Sequence, residues 1–355
     1  MRTAIIGCGA MGTVLGAFLT KSGLDVEMID TYQAHVDTMK EQGAKIIGWK
    51  EFTIPVKAIT PDEMSGIYDL VFLFTKQTAN HIVLPNLLPY LNEESIVCTL
   101  QNGIPEPSVA SVIGQERTIG GATNWGATFI SPGVSELTQD LDATDHLFDI
   151  GEINGQITQR VQNVANILSQ MGGDVHVSDS LMASRYGKLV LNACVSGMSA
   201  VLGLTFGEVL ANPISRSCVS HIGNEVKQVC EAEGYQLPKI GGVYSLDSLS
   251  LENAEQFRQS QEIFLEIYKP LPGAKASMLQ DLEKGQKTEV AMINGFISET
   301  AKKHGIATPF NDRVVDIITR IENGELTYNM DNLAYFTEDI FPYGQEVSLE
   351  LSGTL

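Results

Sequence analysis

An apolar strand that runs straight into a G-x-G-x-x-G turn constrains this chain more than any other feature. Ala4-Ile5-Ile6 leads into Gly7-Cys8-Gly9-Ala10-Met11-Gly12, and a second apolar run closes at Asp30. The pattern reads as a buried parallel strand, a tight turn, and a helix from Ala10 to Ser22 whose first amides, Ala10 and Met11 among them, attract a pyrophosphate. Gly7 permits the turn, Gly9 lets the backbone approach the phosphates, and Gly12 lets the helix pack closely on the strand. Asp30 follows at the spacing, about twenty residues, of a carboxylate that binds the ribose hydroxyls of NAD. Such a carboxylate repels a 2′-phosphate, so NAD(H) is favoured. Lys21, Lys40 or a residue from elsewhere in the fold leaves NADP(H) open. A second use of Asp30 is to cap the helix starting near Gln33.

A chain of 355 residues exceeds the usual single core and points to two units. With 43% hydrophobic residues it can bury two cores, yet no run approaches the roughly 18 apolar residues of a membrane span. Met1 to Ile6 already reads as the first strand, so no signal peptide is expected and the expected location is the cytoplasm. The five cysteines (Cys8, Cys98, Cys194, Cys218, Cys230) are scattered and lack C-x-x-C spacing, so neither a disulfide framework nor a zinc site is indicated, and no metal is expected. A net charge of −20 argues against nucleic acid or an anionic membrane as partner. The expected partner is a small molecule, with a homodimer left open. Where both cofactor and substrate are anionic, a lysine in the cleft must overcome the global field, which makes any such lysine a candidate for chemistry.

Strand and helix alternate to about residue 180. Asp69 to Phe74 reads as a strand ending at Thr75-Lys76-Gln77, and Ser95 to Leu100 as another ending at Gln101-Asn102-Gly103. Ligands bind outside the carboxyl ends of such strands, so Lys76 and Asn102 are expected at the edge that carries the glycine loop. Further strands are expected at Arg117 to Gly121, Ala127 to Ile130, Val134 to Leu137, Leu147 to Ile150 and Asp174 to Val177, with a helix from Gln159 to Met171. From Asp179 onward long helices take over, with breaks at Gly234 to Pro238 and Lys269 to Gly273. The expected architecture is α/β: an N-terminal Rossmann dinucleotide-binding domain (1–178), a C-terminal all-helical substrate and catalytic domain (179–328) with the substrate in the cleft between them, and an aromatic, acidic docking tail (329–355).

Two helical-domain segments carry polar residues in patterns. Lys188, Asn192 and Ser196 are spaced i, i+4, i+8 and would lie along one face amid apolar neighbours. Ser277, Asp281 and Glu289 are at intervals compatible with one face, although capping by Ser277 and ordinary solvated charge would account for them as well.

Taken together, GCGAMG at the N-terminus, Lys76 after the third strand, QNG at 101–103, KLVLN at 188–192, SMLQD at 277–281 and TEVAMINGF at 288–296 resemble the ketopantoate reductases (2-dehydropantoate 2-reductases) over residues 1–312. The resemblance implies a Rossmann domain with an all-helical domain and hydride transfer from a nicotinamide to the ketone of ketopantoate. It implies that Lys188 is the catalytic lysine and Glu289 the catalytic glutamate. Asn102, Asn192 and Ser277 correspond to substrate-binding residues, with Asn102 at the cofactor too, and Lys76 to a lysine near cofactor and substrate. The chemistry is coherent: hydride delivered to a ketone leaves charge on oxygen, which a lysine ammonium stabilises and protonates. Asp281 is assigned to support or helix stabilisation. The chain departs from the family at three places. Ser196-Gly197 stands where a second substrate-binding asparagine and a proline are usual, Gly187 precedes the lysine, and Asp30 replaces the basic character of NADPH-preferring members. Two alternatives are therefore carried: a dehydrogenase of another 2-keto or hydroxy acid on the same fold, and a non-catalytic dinucleotide sensor.

Overall fold

The computed structural model describes residues 1–236, 239 and 246–336. Contacts divide the chain into two units, Met1–Met182 and Ala183–Leu355.

The first unit is built on strands β1 (Arg2–Ile6), β2 (Asp25–Ile29), β3 (Ala44–Gly48), β4 (Phe52–Ile54), β5 (Lys57–Ile59), β6 (Leu70–Leu73), β7 (Ile96–Thr99), β8 (Thr118–Thr123), β9 (Ala127–Ser131), β10 (Val134–Leu137), β11 (Phe148–Gly151) and β12 (Val175–Val177). Its helices are α1 (Ala10–Lys21), α2 (Gln33–Gln42), α3 (Asn80–Leu87), α4 (Glu106–Ile113) and α5 (Gln159–Leu168). Eight strands form one sheet in the order β12-β11-β8-β7-β6-β1-β2-β5, parallel throughout except for the β11–β8 pair. Both faces are covered, and the alternation of side chains divides each strand between two cores. Ile5, Leu70 and Phe72 pack with Val14 and Leu15 of α1 and Val161 and Val164 of α5. Their neighbours Ala4, Ile6, Val71 and Leu73 face the opposite core with Leu84 and Leu87 of α3 and Val109 and Ile113 of α4. This double burial is why β1 and β6 read as unbroken apolar runs.

The strands expected at 127–130 and 134–137 are present but do not join the main sheet. They instead join β3 and β4 in a separate four-stranded sheet, β4-β3-β10-β9, in which β10 pairs parallel with β3 and antiparallel with β9.

The second unit is helical: α6 (Leu181–Ala193), α7 (Val195–Leu202), α8 (Phe206–Ala211), α9 (Pro213–Ala232), α10 (Ala254–Tyr268), α11 (Ser277–Glu283), α12 (Asn294–His304) and α13 (Pro309–Glu322). The division between the units falls inside α6. Local signals set several helix starts. Asn212 accepts from the Ile214 and Ser215 amides ahead of α9, with Pro213 in the first helical position. Thr205 and Glu208 cap α8 reciprocally. Of the break at 234–238, Leu237 and Pro238 lie outside the described residues, as do residues 337–355 of the tail. The tail's beginning is a short 3₁₀ segment, Met330–Tyr335. Asn332 donates to the carbonyl of Val201 near the end of α7 at 2.9 Å, and Phe336 is fully buried.

Candidate functional site

The glycine loop has the backbone its sequence requires. Gly7 adopts φ +91°, and a Cβ there would stand 2.6 Å from the Thr75 amide nitrogen. A Cβ on Gly12 would stand 2.3 Å from the Gly7 carbonyl oxygen. Gly9 is different, because a Cβ there would meet no atom within 4 Å. The loop therefore needs Gly7 and Gly12 for its own packing, whereas Gly9 keeps open the space in front of the α1 N-terminus. No acidic residue occupies the first turn of α1. These features fit a dinucleotide pyrophosphate, with Ala10 and Met11 beginning the helix that would receive it. Cys8 points inward, its Sγ donating to the Ile5 carbonyl, and burial pushes its thiol well up from the ordinary range.

One residue that the sequence reading missed fixes this loop. His35, buried in α2, receives the Gly133 amide on Nδ1 at 2.8 Å, which leaves the ring proton on Nε2 to donate to the Cys8 carbonyl at 2.7 Å. Thr13 donates to that same carbonyl at 2.7 Å. Burial, only partly opposed by the Cys8 carbonyl and the Asp30 charge, lowers the His35 pKa and favours the neutral ring this arrangement uses. Asp30 follows β2 directly, and its Oδ1 accepts the Tyr32 amide at 2.9 Å. It thus shapes the turn before α2 without capping it, since the N-cap position belongs to Tyr32.

Lys76 and Asn102 follow the carboxyl ends of the parallel neighbours β6 and β7, at the edge that carries the glycine loop, and both are partly buried. An amide network joins these two strand ends. The Gln101 side chain donates to Asn80 Oδ1 at 2.7 Å and to the Thr75 carbonyl at 2.7 Å, while accepting from Asn80 and from Thr99. Gln77 donates to the Asn102 carbonyl. Gln101, Asn80 and Gln77 thereby hold Lys76 and Asn102 in register with each other, and none of the three was expected from sequence.

In the helical unit the expected polar stripe is divided. Lys188 and Asn192 lie one turn apart on α6, but the helix breaks at Cys194 (φ −74°, ψ −84°) and Ser196 belongs to α7. Bonds from the Cys194 amide to Val190 and from the Met198 amide to Cys194 continue the ladder on either side, so the break is a kink. The Ala193 carbonyl at the break accepts Asn294 Nδ2 from the start of α12 at 3.1 Å. Asn294 is itself held by Asn311, and Asn311 by the buried carboxylate of Glu225, which also accepts the amides of Phe310 and Asn311 at 2.9 Å. Desolvation outweighs these donors and raises the Glu225 pKa to about 7.

The second expected face does not exist as one face. Ser277 and Asp281 are on α11, whereas Glu289 precedes a separate 3₁₀ turn, Val290–Met292, because the chain leaves α11 at Lys284-Gly285. Ser277 is exposed at the first helical position and caps nothing. Asp281 is partly buried. Glu289 is only 7% exposed and Ser196 9%. Two bonds tie the neighbouring segments to the helices on either side of the kink: Asn294, five residues after Glu289, to Ala193 at the end of α6, and the Ala276 amide, just before Ser277, to Ser199 Oγ on α7. The strap before Glu289 is anchored by Glu322, which accepts the Thr288 amide and hydroxyl at 2.8 and 2.7 Å. Burial raises the Glu322 carboxyl, but Thr288 and Lys287 overcome that and hold it below its usual range.

Comparison with known proteins places this geometry. The family described as Ketopantoate reductase PanE/ApbA matches residues 3–151, and its C-terminal counterpart matches residues 180–322. The chain is 28% identical over 327 residues to the 2-dehydropantoate 2-reductase of Lactococcus lactis, covering 90% of this chain and 97% of that one. It is 25% identical over 323 residues to the enzyme of that name from Archaeoglobus fulgidus, covering 91% and 98%. Among solved structures, a 2-dehydropantoate 2-reductase from Geobacter metallireducens has a TM-score of 0.78 at 28% identity, covering 90% of this chain and 99% of that one. A D-mandelate dehydrogenase with NADH and anilino(oxo)acetate has a TM-score of 0.77 at 26% identity, covering 92% and 99%. With both its halves matched and its length spanned, this chain belongs to the ketopantoate reductase family.

Proposed function

We propose that this chain reduces the ketone of ketopantoate to a hydroxyl, with NADH preferred over NADPH. The observation that carries the reading is the placement of Lys188 and Asn192 one turn apart on α6, immediately before a kink whose flanks also receive the segments bearing Ser277 and Glu289. A reduced nicotinamide, when bound, supplies the hydride. Gly7, Gly9, Gly12 and the first amides of α1 hold the pyrophosphate, with Lys76 and Asn102 beside the cofactor and Asn102 also reaching substrate. The Lys188 ammonium stabilises the charge that develops on the ketone oxygen and gives up its proton there. Glu289 hydrogen-bonds the new hydroxyl or poises the lysine. Asn192, Ser196 and Ser277 hold carboxylate and hydroxyl groups without adding charge. Asp30 supports NADH because its carboxylate accepts ribose hydroxyls and repels a 2′-phosphate.

A second reading, reduction of a different 2-keto acid, is favoured by Ser196. Serine offers one short hydroxyl where the family usually has an amide, which enlarges the space around the substrate. The likeness to D-mandelate dehydrogenase structures at comparable identity points the same way. The test is a screen of ketopantoate, benzoylformate and branched aliphatic 2-keto acids with NADH and NADPH, read as loss of reduced-nicotinamide absorbance. Ketopantoate with the highest kcat/KM supports the first reading, and another acid clearly ahead of it supports the second. Turnover of none of them contradicts both.

A further inference from the structure

Away from the glycine loop, His146, Asp149 and His176 meet on the main sheet. Among the described residues they are the one group of three potential metal ligands whose donor atoms all lie within 4.8 Å of one another. The backbone sets this up. Asp149 on β11 and His176 on β12 are register partners in a parallel pair, and His146 lies just before β11. His176 Nδ1 is 2.7 Å from Asp149 Oδ1, and His146 Nε2 is 3.1 Å from the same carboxylate. Asn124, following β8, donates to Asp149 Oδ2 at 2.9 Å, the oxygen that His146 also approaches, while Oδ1 faces His176. The rings stand 5.4 Å apart, tilted by 50°.

We propose that His146, Asp149 and His176 bind a divalent cation of the zinc class. Two imidazoles and one carboxylate suit zinc better than calcium or magnesium, which prefer all-oxygen shells. Bonds of about 2.0–2.1 Å to a tetrahedral ion require donors about 3.3 Å apart. The His146–Asp149 pair, at 3.1 Å, is already near that spacing, the His176–Asp149 pair opens slightly from 2.7 Å, and the two ring donors close on the ion from a separation of no more than 4.8 Å. Each neutral ring moves its proton to the nitrogen that faces away, His146 to Nδ1 and His176 to Nε2. The Asn124 bond orients the carboxylate, as the outer partners of metal ligands do. With His146 38% and His176 53% exposed, a water completes the shell. The cysteine spacing that argued against zinc does not bear on these residues, and the expectation of no metal gives way here to a candidate site. In strand order β11 lies four spacings, about 19 Å, from β1, which precedes the glycine loop, so on this proposal the ion staples the end of the sheet apart from the cofactor loop.

The test uses tag-free, chelator-treated full-length protein titrated with Co²⁺ and then Zn²⁺. The expected result is a visible cobalt absorption of low-coordinate type that Zn²⁺ abolishes at stoichiometric amounts, together with a higher unfolding midpoint. His146→Ala and His176→Ala should each weaken binding by about 10²-fold or more, and Asn124→Ala by about 10-fold. Both histidines are substantially exposed, so the variants should fold, which circular dichroism checks. Keto acid turnover should be indifferent to chelator. No cobalt spectrum, or one that survives in both histidine variants, would overturn the assignment.

Discussion

At the residue scale the glycines separate by what a methyl group would meet. Gly12→Ala drives a Cβ into the Gly7 carbonyl and should destabilise the first unit by about 1–3 kcal/mol. Gly9→Ala meets no protein atom, so the unfolding midpoint should hardly move while cofactor affinity falls. Thermal melts beside cofactor titrations of the two variants check this, and unchanged affinity in Gly9→Ala would place the cofactor elsewhere. Asp30→Ala should narrow the NADH preference, read as the ratio of kcat/KM values; a wild-type enzyme that favours NADPH would remove Asp30 from that role. The conformation of the glycine loop was legible in the sequence, because the turn at Gly7 and the helix that begins at Ala10 are set by near neighbours. His35 and Asn294 were not, because their partners come from 98 and 101 residues away, Gly133 for one and Ala193 for the other. No local pattern marks a residue whose work depends on a distant carbonyl or amide.

At the element scale the kink between α6 and α7 rests on a buried chain from Glu225 through Asn311 and Asn294 to Ala193. Burial raises Glu225 from 4.5 to about 7, so the fold favours its protonated form relative to the unfolded chain. That contribution is complete below the unfolded pKa and is lost as pH rises through the folded one, amounting to about 3 kcal/mol between pH 4.5 and pH 7. The difference in stability between wild type and Glu225→Gln should therefore change across this window, in the direction of a wild type that weakens as pH rises. Parallel denaturation curves at every pH would contradict it. The strands of the main sheet were readable because double burial leaves continuous apolar runs. The small sheet was not, since nothing in 127–131 or 134–137 states that the partner is β3. The one-face reading of Ser277, Asp281 and Glu289 failed for a similar reason, as spacing carries no signal across the break at Lys284-Gly285.

At the scale of the whole molecule, no helix among the described residues is long and apolar enough to cross a membrane, and the residues proposed for the reaction are divided between the two units. The first has the open glycine loop, and the second has the lysine with its polar companions. The proposed role of Ser196 is tested by substitution: if ketopantoate is the substrate, Ser196→Asn should leave its kcat/KM unchanged or raise it, whereas a pocket shaped for a bulkier acid should lose its native substrate and gain ketopantoate. The central claim is that Lys188 protonates a ketone reduced at the expense of a nicotinamide. Its most direct test is ketopantoate turnover by the wild type and by Lys188→Met under saturating NADH, with NADH affinity measured on both proteins. The account predicts turnover in the wild type and a kcat lower by about 10²-fold or more in the variant, at nearly unchanged NADH affinity. A variant within a few-fold of wild type, or a wild type that leaves ketopantoate untouched with either cofactor, would contradict it.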